Sequence, residues 1–363
     1  MKRVIRLCLL AALMLGICDA SAASKIKCKY VDASTLTIIN KAQNDGLTYN
    51  RIDGSKYKVT ESERNTLSLS TGLAITFTTN SRAIHARWTT KNAVVGANMT
   101  PILHSGLDLF IRDNGEWVFA GLARPNTSDT KHEFTLVKRM AEGEKESMLY
   151  LPMFNELYSL EIGIDEGATI APMASPFKYK IMFVGSSLTH GASSSRPGAC
   201  YVAQMGRILN AETPNIGMSG RCKLDDYFAA IVCDSKADAY IFDTFSNPTD
   251  KDIKDRLYNF VKRITSAHPD KPMIFLQTLI HDKAYFDLGT RKRNNNQREA
   301  AVKGMRQVCK EFKNVYFINP GFVVGSDHGG TVDGSHLNDL GVYRTLQTIL
   351  PKVKKILKKY GIK

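Results

Sequence analysis

Long apolar stretches are scarce in this chain of 363 residues. No run of 18 or more apolar residues lies beyond the N-terminus, which argues against an integral membrane protein. The sequence also has no internal repeat of fixed period, no phosphate-cradling glycine loop and no nucleotide-binding fingerprint. Its 26 glycines and 12 prolines exclude a collagen-like or low-complexity chain. The sequence therefore predicts a globular protein, long enough for two domains.

Cysteine is sparse and lacks the spacing of a metal site. Two of the seven cysteines, Cys8 and Cys18, lie near the N-terminus, and the five others are Cys28, Cys200, Cys222, Cys233 and Cys309. There is no C-x-x-C pair, and no histidine pair lies near a cysteine. An odd number leaves at least one thiol unpaired or paired with another chain. Most are expected to be small core residues, although an exported protein can also form a disulfide.

Positive charge is in excess, with a formal net charge of +14, but it is dispersed. Lysine and arginine are not interleaved with aromatic residues in one segment, so we predict no nucleic-acid partner. The densest cluster is the C-terminal tail, where six lysines between 352 and 363 alternate with Val353, Ile356, Leu357 and Tyr360. This pattern predicts an amphipathic helix with a solvated face; the alternative is a weak electrostatic contact with an anionic partner.

The first 22 residues have the pattern of a signal peptide. Lys2, Arg3 and Arg6 precede an apolar stretch over 7–17, and Ala20-Ser-Ala22 offers a cleavage site. We therefore expect export to the periplasm or the medium. A lipoprotein is the alternative because of Cys18, but the preceding Ile17 is not the small residue that lipoprotein processing requires.

Residues 25–171 are predicted to form an all-β domain. They contain short runs with a period of two that are rich in β-branched and aromatic residues: Leu73–Thr78, Ala83–Trp88, Leu107–Arg112 and Leu157–Ile164. Asn114-Gly115 follows one of them and is a strong hairpin signal. No convincing helix of ten residues occurs. The natural prediction is a β sandwich of jelly-roll type.

The pattern changes after a predicted linker at 172–177, which contains Pro172 and Pro176. From 178 to 363, short apolar runs at 181–185, 239–243, 273–276 and 315–318 read as parallel strands buried on both faces. Helical stretches are predicted at 199–210, 225–235, 250–267, 296–313 and 339–359, whereas the polar run 291–298 is predicted as a loop and helix start. This alternation predicts an α/β domain with a parallel sheet, and its active site at the carboxyl ends of the strands.

Residues with the chemistry of a serine hydrolase follow these strands. The first strand runs into Gly185-Ser-Ser-Leu-Thr-His-Gly191, a turn that holds the Ser187 hydroxyl away from the backbone. Asp333-Gly-Ser-His336 spaces a carboxylate and an imidazole so that the first orients the second and the second accepts the Ser187 proton. Each motif alone also fits a turn or a helix cap.

Two further strand ends carry candidate oxyanion donors. Gly220 closes the segment Asn215–Gly220, and Asn247 follows the strand at 239–243. The backbone N–H of Gly220 and the amide of Asn247 are predicted to join the N–H of Ser187 around a developing oxyanion. Taken singly, Gly220 also fits an ordinary turn and Asn247 a loop cap.

In this order, the four blocks resemble the SGNH hydrolases, also called the GDSL esterase family. Residues 185–191 are similar to the G-D-S-L-T-x-G block, while Gly220, Asn247 and Asp333-Gly-Ser-His336 match the three later blocks. Ser186 replaces the aspartate of the first block, and Phe245-Ser-Asn-Pro248 lacks the glycine and aspartate that flank the family's asparagine. Gly106-Leu-Asp-Leu-Phe110 is similar to the G-x-D-L-Y motif of a bacterial branch with an extra N-terminal β domain.

The resemblance implies a serine esterase with Ser187 as nucleophile, His336 as base and Asp333 orienting it, and the signal-peptide pattern predicts its export. It needs no metal or organic cofactor, and its substrate is a small-molecule or glycan ester, with acetyl or short acyl groups on carbohydrate favoured. A lipid esterase or thioesterase is one alternative. A non-catalytic carbohydrate-binding or adhesion protein with an inactive hydrolase domain is another.

Other candidates rank lower. His190 is predicted either to line the pocket or to have a turn-stabilising or exposed role. Asp327-His328 is an acid–imidazole pair that rivals Asp333 and His336. Trp88 and Trp117 are more consistent with core packing than with a sugar-stacking platform.

Overall fold

A computed structural model of the chain describes residues 28–93 and 96–363. The predicted signal peptide, including Cys8 and Cys18, lies outside the described residues. The first half is antiparallel β structure and the second half is built on a parallel sheet. Both parts of the predicted fold class are thereby confirmed.

Among the described residues, the antiparallel part has ten strands: β1 (Cys28–Asp32), β2 (Thr37–Ile39), β3 (Ala74–Thr79), β4 (Ile84–Thr90), β5 (Leu107–Asp113), β6 (Glu116–Ala123), β7 (Lys131–Val137), β8 (Lys145–Tyr150), β9 (Leu157–Asp165) and β10 (Ile170–Pro172). One sheet has the order β1-β9-β4-β7 and the other β10-β3-β8-β5-β6. The strand β2 continues the edge of β3 beside β10. Short helices α1 (Glu61–Leu67) and α2 (Pro101–Ser105) lie in the connections.

The two antiparallel sheets enclose one apolar core, as a sandwich requires. Residues from both sheets, such as Ile84, Trp88, Leu109 and Ile162, are buried in the same cluster. Because strand side chains alternate, the inward set repeats every second residue, as the sequence predicted. The hairpin between β5 and β6 turns at Asn114-Gly115, where both residues have positive φ (47° and 85°). Glycine and asparagine tolerate this left-handed conformation better than other residues.

The second half has six strands: β11 (Tyr179–Gly185), β12 (Ala211–Glu212), β13 (Asn215–Gly217), β14 (Ala239–Asp243), β15 (Met273–Leu276) and β16 (Val315–Ile318). The parallel order is β12-β11-β14-β15-β16, and β13 continues the edge of β11 beyond β12. The helices are α3 (Ser187–His190), α4 (Tyr201–Leu209), α5 (Asp226–Asp234), α6 (Asp250–Ala267), α7 (Leu288–Glu311) and α8 (Asp339–Lys358).

Helices cover both faces of the parallel sheet. Ile181 and Phe183 of β11 pack in one core with α4 and α8, whereas Met182 and Val184 pack in the other with α5, α6 and α7. Consecutive strand residues point to opposite faces, so nearly continuous apolar runs are needed. In α8, Val353 and Leu357 are buried while lysines face solvent, which confirms the predicted amphipathic tail.

One helix boundary differs from the prediction. Helix α7 begins at Leu288 and includes the whole polar run 291–298, for which the sequence predicts a loop and helix start. Asp287 caps it by accepting a hydrogen bond from the Thr290 N–H at 3.0 Å. Its buried positions include Asn294 and Gln297 in place of apolar residues. Apolar periodicity therefore could not reveal this first part of the helix.

The antiparallel and parallel parts share hydrophobic cores. In the antiparallel part, called the β part below, Phe110, Tyr150 and Met153 are buried. They lie in one cluster with Phe183 and Tyr201 of the parallel part. Ile52, Tyr57 and Leu67 join the cluster on the opposite face of the parallel sheet. This packing fixes the β part against the edge of the sheet that carries the candidate site.

The Gly106–Phe110 motif lies at this contact. Asp108 is fully buried, and its Oδ2 accepts a hydrogen bond from the Gly198 N–H at 2.7 Å and pairs with Arg196 at 3.4 Å. The Arg207 guanidinium lies 4.1 Å from the centre of the Phe110 ring, a cation–π contact. A β-carbon at Gly198 would lie 2.4 Å from that ring. The motif thus joins the two parts through one buried acid and one aromatic ring.

The buried acid predicts a pH dependence of stability. Burial raises the pKa of Asp108 to about 6, although Arg196 and the Gly198 N–H oppose this. Since its pKa is higher in the folded state than in the unfolded chain, the folded form loses relative stability as pH rises from about 4 to 6. Between pH 4.5 and 7.5, the free energy of unfolding of the wild type should therefore fall by about 2 kcal/mol relative to that of the Asp108→Asn variant.

Urea unfolding of both proteins at the two pH values measures this difference. The asparagine variant is a suitable reference because its amide oxygen can still accept from Gly198, while its nitrogen takes the position of Oδ1, which has no partner among the described residues. An equal pH dependence in both proteins would show that Asp108 is ionised throughout.

Candidate active site

Three strand ends meet at one edge of the parallel sheet. Gly185, the last residue of β11, pairs with Gly217 of β13 on one side and with Asp243 of β14 on the other. The segments that follow these residues are therefore neighbours, and they contain the predicted site residues Ser187, Gly220 and Asn247. This is the carboxyl edge, where ligands bind in parallel α/β folds.

Ser187 is the first residue of the short helix α3. The Ser186 hydroxyl caps this helix by accepting a hydrogen bond from the Leu188 N–H at 3.1 Å, and Gly191 ends it with φ of 95°. A β-carbon at Gly185 would lie 2.3 Å from the Thr189 hydroxyl, so only glycine fits at the tight approach to the turn. The turn holds the half-buried Ser187 side chain at the sheet edge.

Ser187, His336 and Asp333 form a continuous hydrogen-bonded chain. The Ser187 Oγ lies 2.9 Å from His336 Nε2, and His336 Nδ1 lies 2.7 Å from Asp333 Oδ2. Asp333 can only accept, so Nδ1 carries the proton and Nε2 is left to accept from the Ser187 hydroxyl. The structure thus brings together the three residues predicted from two separate motifs.

The Asp333 carboxylate is held ionised by its surroundings. Its Oδ1 accepts the N–H groups of Ser335 and His336 at 3.0 and 2.9 Å, and its Oδ2 accepts from Asn98 at 2.9 Å as well as from His336. Partial burial raises its pKa, but these hydrogen bonds outweigh burial and hold the pKa well below its usual range. A carboxylate in this state stabilises a neighbouring imidazolium.

Gly220 and Asn247 meet beside the nucleophile turn. Asn247 donates a hydrogen bond from Nδ2 to the carbonyl of Arg221, the residue after Gly220. Gly220 has φ of 71°, a left-handed conformation that favours glycine, and is exposed. The Met218 N–H donates to the Gly185 carbonyl at 2.9 Å, which fixes this loop against the end of β11.

A buried carboxylate that the sequence analysis did not single out links the two loops. Asp243 is fully buried and accepts hydrogen bonds from the backbone N–H of Ser186 and from the hydroxyls of Ser186, Thr189 and Ser246. Burial raises its pKa to about 6, although these donors lower it. Ser186 and Ser246 directly precede Ser187 and Asn247, so Asp243 sets the spacing of these two candidate catalytic residues.

His190 is buried and holds the loop that contains Gly220. Its Nδ1 accepts from the Ser219 N–H at 3.3 Å, and its Nε2 donates to the Met153 carbonyl at 2.9 Å. Its ring stacks on Phe154, with 3.9 Å between ring centres. Burial lowers its pKa well below the ordinary value, so it is neutral. Of the predicted roles, the structure supports turn stabilisation, and burial of the ring excludes an exposed role.

The strand that leads into the Gly220 loop is held by a buried arginine from the β part. Arg51 donates hydrogen bonds to the backbone carbonyls of Asn215 and Gly217, both at 2.8 Å, and to the backbone carbonyl of Thr66 at 2.7 Å. Complete burial lowers its pKa to about 9. The β part therefore fixes one side of the candidate site, through Arg51 and through the contacts of His190 with Met153 and Phe154.

The remaining candidates lie apart from this arrangement. Asp327 forms a bidentate pair with Arg344 at 2.6 and 2.8 Å, whereas His328 contacts Asp282 instead. Trp88 is buried in the sandwich core and donates to the Ser105 carbonyl, as the core interpretation predicted.

Within 28–93 and 96–363, no group of three or more His, Cys, Asp or Glu side chains is placed to hold a metal ion. No helix in these ranges is long and apolar enough to cross a membrane. The five cysteines of the described chain are free thiols.

Comparisons with known proteins agree with this architecture. Residues 178–354 match the GDSL-like lipase/acylhydrolase family, and residues 28–170 match the N-terminal domain of SGNH hydrolase-type esterases. A protein from Bacteroides ovatus, solved as a GDSL-like lipase, is 40% identical with a TM-score of 0.89, and the alignment covers 92% of this chain and 98% of that one. A comparison with curated proteins gives no match.

More distant structures share the fold. A salicylyl-acyltransferase from a tetracycline biosynthetic pathway is 18% identical, with a TM-score of 0.70 and coverage of 91% of this chain and 97% of that one. A family two carbohydrate esterase from Cellvibrio japonicus is 12% identical, with a TM-score of 0.59 and coverage of 92% and 98%.

The protein is therefore an ester hydrolase by class. More specifically, the chain belongs to the GDSL-like lipase/acylhydrolase family, with the N-terminal domain of SGNH-type esterases. The alternative of a non-catalytic binding protein receives no support from these findings.

Proposed function

We propose that the protein is an exported serine esterase that removes short acyl groups, acetyl foremost, from carbohydrate. The observation that carries the catalytic part is the chain from Ser187 Oγ to His336 Nε2 at 2.9 Å and from His336 Nδ1 to Asp333 at 2.7 Å. Export is supported by the pattern of residues 1–22.

In the first half of the reaction, Ser187 Oγ attacks the ester carbonyl carbon while His336 Nε2 takes the hydroxyl proton. The carbonyl oxygen becomes an oxyanion, which the N–H groups of Ser187 and Gly220 and the Asn247 amide stabilise. When this intermediate collapses, the C–O bond to the alcohol breaks and His336 returns the proton to the leaving oxygen. The acyl group is then an ester of Ser187.

In the second half, His336 Nε2 takes a proton from water as the water oxygen attacks the acyl carbon. Collapse of this second intermediate releases the acid and restores the Ser187 hydroxyl with the proton held by His336. Asp333 keeps Nδ1 protonated and stabilises the imidazolium in both halves, and its low pKa keeps it ionised. No step needs a metal or an organic cofactor.

The carbohydrate substrate is supported by the predicted export and by the shared fold with a protein named as a carbohydrate esterase. A different observation favours a second candidate, hydrolysis of lipid or long-acyl esters. Exposed apolar side chains Ile280, Tyr285, Phe286 and Leu288 lie on the segment beside the Asp333–His336 loop. Lys283 of that segment packs on Gly334, and a cleft of about 740 Å³ opens beside it.

A matched substrate screen distinguishes the two candidates. Initial rates are measured on acetylated oligosaccharides and on p-nitrophenyl esters whose acyl chains have about two, four, eight and twelve carbons. The Ser187→Ala variant gives the background rate. We expect the highest kcat/KM on acetylated oligosaccharides and a decline with chain length. A rise in kcat/KM with chain length would favour the lipid esterase and contradict the proposed substrate.

A further inference from the structure

A side chain of the N-terminal β part forms a hydrogen bond with the acid of the candidate triad. We propose that Asn98 is a positioning residue that holds the Asp333 carboxylate in the orientation needed to support His336. Its Nδ2 lies 2.9 Å from Asp333 Oδ2, the oxygen that also accepts from His336 Nδ1 at 2.7 Å. The inference rests on the proposed esterase function and assigns part of the catalytic machinery to a segment 235 residues away in sequence.

The geometry makes the direction of this hydrogen bond unambiguous. Asn98 Nδ2 also lies 3.4 Å from His336 Nδ1, but both nitrogens are donors when Nδ1 carries its proton. Both therefore point their hydrogens at Asp333 Oδ2. With the two backbone N–H groups on Oδ1, the carboxylate then has four donors, which matches its capacity as an acceptor.

The segment that carries Asn98 is tied to the loop after the nucleophile. The Ser193 hydroxyl donates to the Asn98 carbonyl at 2.7 Å, and the Thr100 hydroxyl donates to the Ser195 carbonyl at 2.8 Å. Ser195 in turn donates from its hydroxyl to Asp339 at 2.6 Å, at the start of α8 and three residues beyond His336. Asn98 is thus fixed with respect to both the serine and histidine segments.

This contact has two chemical consequences. It prevents the carboxylate from rotating away from His336, and it removes part of the negative charge from Oδ2. Loss of the donor should lower kcat because the carboxylate is less well oriented. It should also make Asp333 attract the imidazole proton more strongly, so the acidic limb of the pH–rate profile should move to higher pH.

The test compares Asn98→Ala and Asn98→Asp with Asn65→Ala, an exposed asparagine on α1 of the same β part. With p-nitrophenyl acetate, Asn98→Ala should lower kcat about 10-fold, with little change in KM. The acidic limb should move up by about half a pH unit, and further in Asn98→Asp, whose carboxylate would face Asp333. His281 and Lys283, the other titratable groups beside the Asp333–His336 pair, are unchanged in every variant.

A second readout does not need turnover. In the Ser187→Ala background, the proton between His336 Nδ1 and Asp333 should give a downfield proton NMR signal that shifts when Asn98 becomes alanine. Wild-type kcat and an unmoved acidic limb in both Asn98 variants would overturn the proposal. The proposal would also be overturned if both Asn98 variants lost kcat equally while the acidic limb of the pH–rate profile and the NMR signal stayed unchanged. An inactive wild type would instead overturn the proposed function itself.

Discussion

Replacing Ser187 by alanine is expected to lower kcat on p-nitrophenyl acetate by about 10³-fold or more, with the fold retained. The loss should be this large because, in the proposed mechanism, this hydroxyl forms the covalent intermediate, and water held by His336 is a poor substitute. The side chain is half-buried and starts a helix that Ser186 caps, so removal of one oxygen leaves the turn in place. Initial rates and far-UV circular dichroism measure the two parts of this prediction.

Ser266→Ala is the matched control, because Ser266 is exposed on α6 and bonds only to the preceding turn of its own helix at Lys262. It should retain wild-type kcat. Activity of the Ser187 variant within a few-fold of the wild type would mean that the nucleophile lies elsewhere, for example at a neighbouring hydroxyl such as Ser219.

Replacing Asn247 by alanine should lower kcat by about 10²–10³-fold, or about 3 kcal/mol of transition-state stabilisation, with a small change in KM. The amide sits at the end of β14 in a loop held by Asp243 and by its own bond to Arg221. One of its hydrogens is used on the Arg221 carbonyl, which leaves the other for an oxyanion beside Ser187. This donor matters only once negative charge develops, so kcat should fall more than affinity.

Asn247→Asp sharpens the test, since it keeps the shape but replaces both donors by negative charge. It should be at least as impaired as the alanine variant, while Asn259→Ala on the exposed face of α6 should behave as the wild type. A raised KM with unchanged kcat would identify Asn247 as a substrate-binding residue instead.

Much of the fold could be predicted because burial leaves a periodic signal. All four apolar runs of the second half became strands β11, β14, β15 and β16, and the alternating runs of the first half became strands of the sandwich. The start of α7 was missed because Asn294 and Gln297 are buried through hydrogen bonds, such as that from Gln297 to the Pro248 carbonyl at 2.6 Å. A hydrophobicity pattern does not register such positions.

The candidate triad could be predicted because its members sit in short motifs with local spacing. Asn98, Asp243 and Arg51 could not, since each acts through contacts made across long sequence separations. Asn98 reaches Asp333 across 235 residues, and Arg51 reaches Asn215 across 164. Asp243 is a further case, because its buried carboxylate accepts hydrogen bonds from the Ser186 backbone N–H and hydroxyl across 57 residues. Only the folded arrangement shows these contacts.

Covalent capture by a serine-directed reagent shows directly whether Ser187 is the nucleophile. The wild type and Ser187→Ala are treated with a fluorophosphonate, and the modified peptide is identified by mass spectrometry. We expect one adduct per chain on Ser187, absent from Ser187→Ala and formed much more slowly in His336→Ala, since His336 is proposed to remove the proton. An adduct on another serine in the wild type, or unchanged labelling of the Ser187 variant, would contradict this role of Ser187.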